Sequence, residues 1–269
     1  MTNTATAEST AAPAAGAGTA DAVIELQSVT KEFKGFIAVD QVSMRVQPNQ
    51  VHAIIGPNGA GKTTLFNLIT KFLTPTSGAI LYKGDDITKA DPVDIARRGM
   101  VRSFQISAVF PEMTVLENVR VALQQPTGLS FHFWKPESRL QHLNDRAMEL
   151  LELVGIAGSY RRIAGELPYG QKRALELATT LALDPETLLL DEPMSGMGTE
   201  DIDRIGEVIL RVAKGRTVVM IEHQMKVVAE LSDTITVLER GRILAEGKYA
   251  DVSQNPDVIE AYMGTGDDD

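Results

Sequence analysis

The stretch GPNGAGKTT at residues 56–64 decides the fold. It satisfies the spacing G-x-x-x-x-G-K-[ST], a loop that wraps phosphate oxygens. Gly56, Gly59 and Gly61 permit backbone conformations that a β-carbon disfavours, so the loop, with Pro57, Asn58 and Ala60 between them, can turn its N–H groups inward. Lys62 supplies a cation to the β- and γ-phosphates, and the Thr63 hydroxyl is suited to Mg2+. Thr64 continues into a helix whose N-terminus favours the same anion. A glycine-rich turn can match such a pattern by composition alone. Here the loop lies between an apolar run, VHAII at 51–55, and a segment with helical spacing of Leu65, Phe66, Leu68, Ile69 and Phe72. Strand, loop and helix in that order point to nucleotide binding.

Outward from the loop, VIELQSVTKEF (23–33) and QVSMRVQ (41–47) alternate as strands and are joined through KGFIAVD. GAILYKG (78–84) is a further strand. DPVDIARRG (91–99) reads as a short helix, with Asp91 as N-cap, Pro92 at the first helical position and Gly99 as the stop. MVRSFQ (100–105) is a strand ending on a polar residue. MTVLENVRVAL (113–123) carries a capping box, Thr114 with Glu117 three residues later. From Gln124 to about Lys214 the pattern is mainly helical, interrupted by TLLLDEP (187–193). RTVVMIEH and TITVLER are strands, GRILAEG pairs with the latter, and NPDVIEAYMG closes as a helix. This order predicts an α/β P-loop core with an antiparallel β-subdomain and an α-helical subdomain inserted at about residues 104–182.

The 269 residues suffice for one large domain with a subdomain, and the charge balance of 26 basic against 36 acidic residues gives −10. That balance argues against general binding to nucleic acid. There is no cysteine, so neither a disulfide framework nor a thiolate metal site is available. No apolar run reaches the roughly 18–20 residues that span a bilayer. Residues 1–21, rich in Ala, Thr, Gly and Pro, read as a disordered tail without the features of a secretory signal, and 265–269 as an acidic tail.

A second site follows from TLLLDEP. Asp191 and Glu192 stand at the C-terminal edge of a buried strand, the edge where parallel α/β sheets bind ligands. Asp191 is suited to hold Mg2+ and Glu192 to act as general base toward an attacking water. Alone, the pair reads better as an acidic turn; with the cradle upstream, hydrolysis is the better reading. Gln105 closes VRSF and His223 closes VVMIEH, and their order around the acidic pair adds them to the candidates.

The order GPNGAGKTT, Gln105, LPYGQ (167–171), LLLDEP, His223 resembles the nucleotide-binding subunit of ABC transporters, over about residues 22–264. The resemblance implies an ATPase with ATP and Mg2+ as its cofactors. Lys62, Gln105, Glu192 and His223 would be catalytic, with Glu192 as base and Gln105 and His223 at the γ-phosphate. Thr63, Gln105 and Asp191 would meet the metal. Phe33 sits where the family stacks an aromatic ring on adenine; Phe36 is a second candidate, and packing is the alternative for both. The family pairs two subunits head to tail, so Tyr169, Gly170 and Gln171 would face the ATP held by a second ATPase subunit, in a homo- or heterodimer. Integral membrane permease subunits, and through them a periplasmic or extracellular solute-binding protein, complete the implied assembly at the cytoplasmic face of the inner membrane.

Within the family, FQISAVFPEMTVLENVRVAL, the insert QQPTGLSFHFWKPESRLQHL, the SGMG loop (195–198) and NPDVIEAYMG are similar to the larger ATPase subunit of branched-chain amino acid importers. Importers for urea, amides or aromatic acids, and the lipopolysaccharide-export ATPase, share parts of this pattern. A non-transport ABC ATPase and a regulatory subunit that binds without hydrolysing are further alternatives. Two departures bear on the last. Pro168 replaces the serine of the family's Leu-Ser-Gly-Gly-Gln signature, and Gly198 stands near a commonly occurring aspartate. The helix that follows the signature keeps its N-terminus for an anion, with Ala174, Leu177, Ala178, Leu181 and Ala182 on one apolar face. Phe131, Phe133 and Trp134 in the insert are read as packing in preference to a membrane-subunit contact.

Overall fold

The computed structural model describes residues 22–103, 109–124 and 142–263. Both predicted tails, Gln105 and the aromatic trio Phe131, Phe133 and Trp134 lie outside the described residues.

Two sheets carry the fold. β1 (Ile24–Phe33), β2 (Phe36–Val46), β4 (Ser77–Tyr82) and β5 (Asp85–Asp86) form an antiparallel sheet in the order β2-β1-β4-β5. β3 (Val51–Ile55), β6 (Met100–Ser103), β7 (Thr187–Asp191), β8 (Thr217–Ile221), β9 (Thr234–Glu239) and β10 (Arg242–Gly247) form the second sheet, in the order β10-β9-β3-β8-β7-β6. Its pairings are parallel from β9 through β6, and β10 closes the edge antiparallel to β9. β3, β7 and β8 are buried along their whole length, which is why they read as unbroken apolar runs.

Helices cover the sheet: α1 (Lys62–Ile69), α2 (Pro92–Arg97), α3 (Val115–Gln124), α4 (His142–Leu153), α5 (Tyr169–Leu181), α6 (Thr199–Ala213), α7 (Met225–Leu231), α8 (Tyr249–Val252) and α9 (Pro256–Met263). Among the described residues, no helix is long and apolar enough to cross a membrane. The caps behave as their residue types dictate. The Asp91 side chain accepts from the Val93 N–H with Pro92 leading α2, and Thr114 and Glu117 close a reciprocal capping box at α3.

Two local expectations are corrected, and one residue stands out. KGFIAVD is mostly strand, because Lys34 (φ 49°) and Gly35 (φ 91°) make a two-residue hairpin turn that starts β2 at Phe36. The helix after the cradle stops at Ile69 instead of running to Phe72. The Thr70 hydroxyl donates back to the Phe66 carbonyl, Lys71 turns left-handed (φ 64°), and Phe72 is thrown to the surface at 49% exposure. Within VHAII, His52 is fully buried among the apolar residues.

His52 is part of a polar chain between strands. Thr236 Oγ1 donates to Glu246 Oε2 at 2.8 Å, so His52 Nε2, 2.7 Å from the same hydroxyl, must donate to it. Burial lowers the imidazole to about 4 from its ordinary 6.5, holding the ring neutral. The unfolded ring takes its proton below pH 6.5 and the folded one only near pH 4. This contribution to stability is therefore complete above pH 6.5 and is lost as pH falls toward 4, at about 1.4 kcal/mol per pH unit. Urea unfolding between pH 7.5 and 5 should show that slope in the native chain and a flatter one in His52→Gln; equal slopes would remove His52 as its source.

Candidate functional site

β3, β8, β7 and β6 are consecutive and parallel, so their C-terminal ends lie along one edge of the sheet. β3 runs into the glycine-rich loop, β8 into Glu222 and His223 and β7 into Asp191 and Glu192, while β6 ends at Ser103. With neighbouring strands about 4.8 Å apart, four chain-distant segments converge within roughly 15 Å.

The loop itself is shaped by contacts that leave no room for side chains. Gly56, Gly59 and Gly61 take φ of 150°, 79° and 98°. A β-carbon on Gly56 would lie 2.1 Å from the Leu238 carbonyl oxygen in β9, and one on Gly61 would lie 2.4 Å from the Ala38 carbonyl oxygen in β2. Gly241, in the β9–β10 turn, meets the same Ala38 carbonyl and donates its N–H to Ala60 at 2.9 Å. Its own carbonyl accepts from Asp40, whose carboxylate takes two bonds from Arg242. Cradle, antiparallel sheet and β9–β10 turn thus meet backbone to backbone. On the far side Tyr262 of α9 packs half-buried near the Gly56 backbone; burial pushes its phenol up to about 12, and the Gly56 contact acts the other way.

Lys62 is 9% exposed, and its ammonium donates to the carbonyls of Gly56 (2.7 Å) and Pro57 (3.0 Å). Burial lowers its pKa, and the nearby Glu192 charge opposes that shift. Lys62 and Glu192 are therefore electrostatic neighbours although 130 positions apart in sequence (192 − 62). Glu192 sits at a left-handed φ of 45°, its N–H bonded to Ile221 of β8. Asp191 is buried and paired with Arg102 of β6 at 2.5 Å. The Thr63 hydroxyl and the Asp191 carboxylate are hard oxygen donors, a set that fits Mg2+. No group of three or more His, Asp or Glu among the described residues is placed to hold a metal without further ligands. An ion that keeps waters and phosphate oxygens needs no such group.

The hairpin carrying the aromatic candidates passes the cradle at Ala38. Phe33 and Phe36 are paired across the turn, 41% and 67% exposed, with the Lys31 ammonium 5.1 Å from the Phe33 ring. Both rings are open to a ligand.

At LPYGQ, Pro168 is the N-cap of α5 and not its first helical residue; its carbonyl accepts from Lys172. The neighbouring polar groups are used within the chain. The Tyr169 hydroxyl donates to the Ser195 carbonyl (3.1 Å), and the Gln171 side-chain oxygen accepts from Ser159 (3.1 Å). Gly170 is required by space, since a β-carbon there would lie 2.6 Å from Asp201 Oδ1 in the first turn of α6. Gly198 is the N-cap of α6.

Sequence reasoning passed over two residues. Glu222 is fully buried, and its carboxylate accepts from the N–H groups of Met194 (3.2 Å) and His223 (3.1 Å). It binds the chain after Glu192 to the chain carrying His223. An acid directly before a histidine at the end of an apolar strand is its only sequence signal. Arg102 is the other; its partners come from other elements.

A profile described as "ABC transporter" matches residues 39–195, and one described as "Branched-chain amino acid ATP-binding cassette transporter" matches 242–268. The chain is 40% identical over 249 residues to the high-affinity branched-chain amino acid transport ATP-binding protein BraF of Pseudomonas aeruginosa, covering 90% of this chain and 98% of the relative. The corresponding LivG protein of Escherichia coli K12 gives the same values. A probable LivG of Methanocaldococcus jannaschii is 34% identical over 252 residues, covering 90% and 97%. The solved ADP conformation of an ATP-binding cassette of an ABC transporter superposes with TM-score 0.80 at 32% identity, covering 91% of this chain and 99% of that one.

Glu222→Ala removes the acceptor shared by the buried Met194 N–H and the part-buried His223 N–H and leaves a cavity at a fully buried site. We expect a loss of about 2–4 kcal/mol of unfolding free energy, measured by urea titration. A loss below about 0.5 kcal/mol would show that Glu222 does not bind the two segments together.

Proposed function

The chain belongs to the ABC transporter family of ATP-binding subunits and is an ATPase; from that premise we propose that it powers an importer of branched-chain amino acids. The family match of residues 242–268 is the observation that carries the solute class, because that segment lies outside the general ATPase region. In this reading the chain sits peripherally at the cytoplasmic face of the cell membrane. It pairs with a second ATPase subunit and docks on integral permease subunits that receive solute from a binding protein.

The site residues divide the work by their chemistry. The N–H groups of residues 56–64 and the Lys62 ammonium bind the phosphates, Lys62 exchanging its carbonyl partners for phosphate oxygens. Phe33 or Phe36 offers a face to adenine. Thr63 and Asp191 would hold Mg2+, with Gln105 as a further ligand; bound there, the ion would supply positive charge that offsets the negative charge of the phosphates. Glu192, at the strand edge beside Lys62, accepts the proton of the attacking water. His223 contacts the γ-phosphate, its backbone held by Glu222. Tyr169, Gly170 and Gln171 present the N-terminus of α5 to the ATP of the paired subunit, where backbone N–H groups and the helix dipole replace the serine hydroxyl.

Two substitutions test these roles. Glu192→Gln keeps the shape and the phosphate ligands but removes the base. ATP should still bind, measured with a fluorescent ATP analogue, while turnover falls by at least ~100-fold, in the range of general-base losses. Normal hydrolysis by that variant would unseat Glu192 as base. Pro168→Ser restores the hydroxyl and should change ATPase activity by less than about tenfold, one hydrogen bond's worth of free energy. A rise of several orders of magnitude would show the native signature to be defective. For the solute, ATPase activity of the reconstituted transporter should rise with leucine, isoleucine or valine on its binding protein, and a response to urea or amides alone would overturn the assignment.

A further inference from the structure

Arg102 projects from β6 into the acidic site and is held on four sides. Its Nη2 donates to Asp191 Oδ2 at 2.5 Å and its Nη1 to Asn67 Oδ1 of α1 at 2.6 Å. Its guanidinium carbon lies 5.1 Å from the Phe66 ring centroid and 5.6 Å from that of Phe72. The side chain is 13% exposed and that of Asp191 only 2%. A guanidinium does not give up its charge at any pH a protein survives. The acid assigned to the metal therefore carries a fixed cation of its own, anchored to the helix that follows the cradle.

Two consequences follow from charge alone. A carboxylate this deeply buried is costly unless paired, and Arg102 pairs it. A divalent cation approaching Asp191 then meets a like charge across the same carboxylate, which weakens its binding. We propose that Arg102 is a positioning residue of the metal site, a resident counter-cation that keeps Asp191 in place without metal and lowers the site's affinity for a divalent ion. The ion's binding then depends on the negative charge that nucleotide phosphates bring. This inference rests on the reading of Asp191 as a metal ligand.

The test uses Mn2+ as the probe, read by electron paramagnetic resonance on the full chain with a non-hydrolysable ATP analogue, alongside melting curves in EDTA. Arg102→Met should bind Mn2+ about tenfold more tightly, the order expected from removing one nearby like charge. It should also melt lower than the native chain in EDTA and regain part of the difference with Mn2+ and nucleotide. Arg102→Gln, which keeps hydrogen-bond donors without charge and covers the case in which the methionine variant does not fold, should show the same gain. Arg102→Lys should stay near native affinity. Unchanged or weaker Mn2+ binding in a folded Met or Gln variant overturns the proposal, as does a Lys variant that gains as much as they do. Asp191→Asn separates the premise: if Mn2+ binding survives that change, Asp191 is not a ligand and the reading beneath the proposal fails. If the Asn variant loses Mn2+ while the neutral Arg102 variants gain nothing, only the role of Arg102 falls.

Discussion

The cradle depends on a place where three pieces of backbone touch with nothing between them. Gly56 lies against the Leu238 carbonyl of β9, and Gly61 and Gly241 both lie against the Ala38 carbonyl of β2. Any side chain at these points forces main chain apart, and the positive φ values would strain it further. Both sheets therefore take their relative position from the glycine-rich loop. The hairpin with Phe33 and Phe36 is brought to the nucleotide edge by that junction, and the Asp40–Arg242 pair reinforces it from the surface.

The core strands lie beneath the same constraint. Apart from His52, β3, β8 and β7 carry polar side chains only at their ends, because both faces of the parallel sheet are covered, one of them by α1 and the antiparallel sheet. Asp191, Glu192, Glu222 and His223 all fall where apolar side chains give way to chemistry. His52 is the exception inside a strand, and the neutral ring with its threonine and glutamate partners shows how such a residue is accommodated.

This pattern explains what could be read beforehand. The cradle, the acidic pair and the caps at Asp91 and Thr114 are local, each written within a few consecutive positions, and spacing alone exposes them. The end of α1 was misplaced because Phe72 fits a helical stripe, whereas Thr70 and Lys71 end the helix by a side-chain hydrogen bond and a left-handed turn. Tyr169 offered a hydroxyl whose partner, the Ser195 carbonyl, is 26 residues away (195 − 169). Arg102 and Glu222 escaped notice for the same reason. An arginine in VRSF and a glutamate in MIEH acquire meaning only when β6, β7 and β8 lie side by side.

The fastening of α5 carries a consequence for motion. Tyr169 holds the Ser195 carbonyl, and Gly170 sits against Asp201, so the front of α5 is attached to the segment that begins at Glu192. In the proposed head-to-tail pair that front would face the other subunit's nucleotide. In that pairing a subunit whose α5 is drawn toward its neighbour would pull on the segment that carries Glu192, the proposed base. On the proposed function the two sites would then share a mechanical clock, each sensing through its own backbone whether the opposite one is engaged.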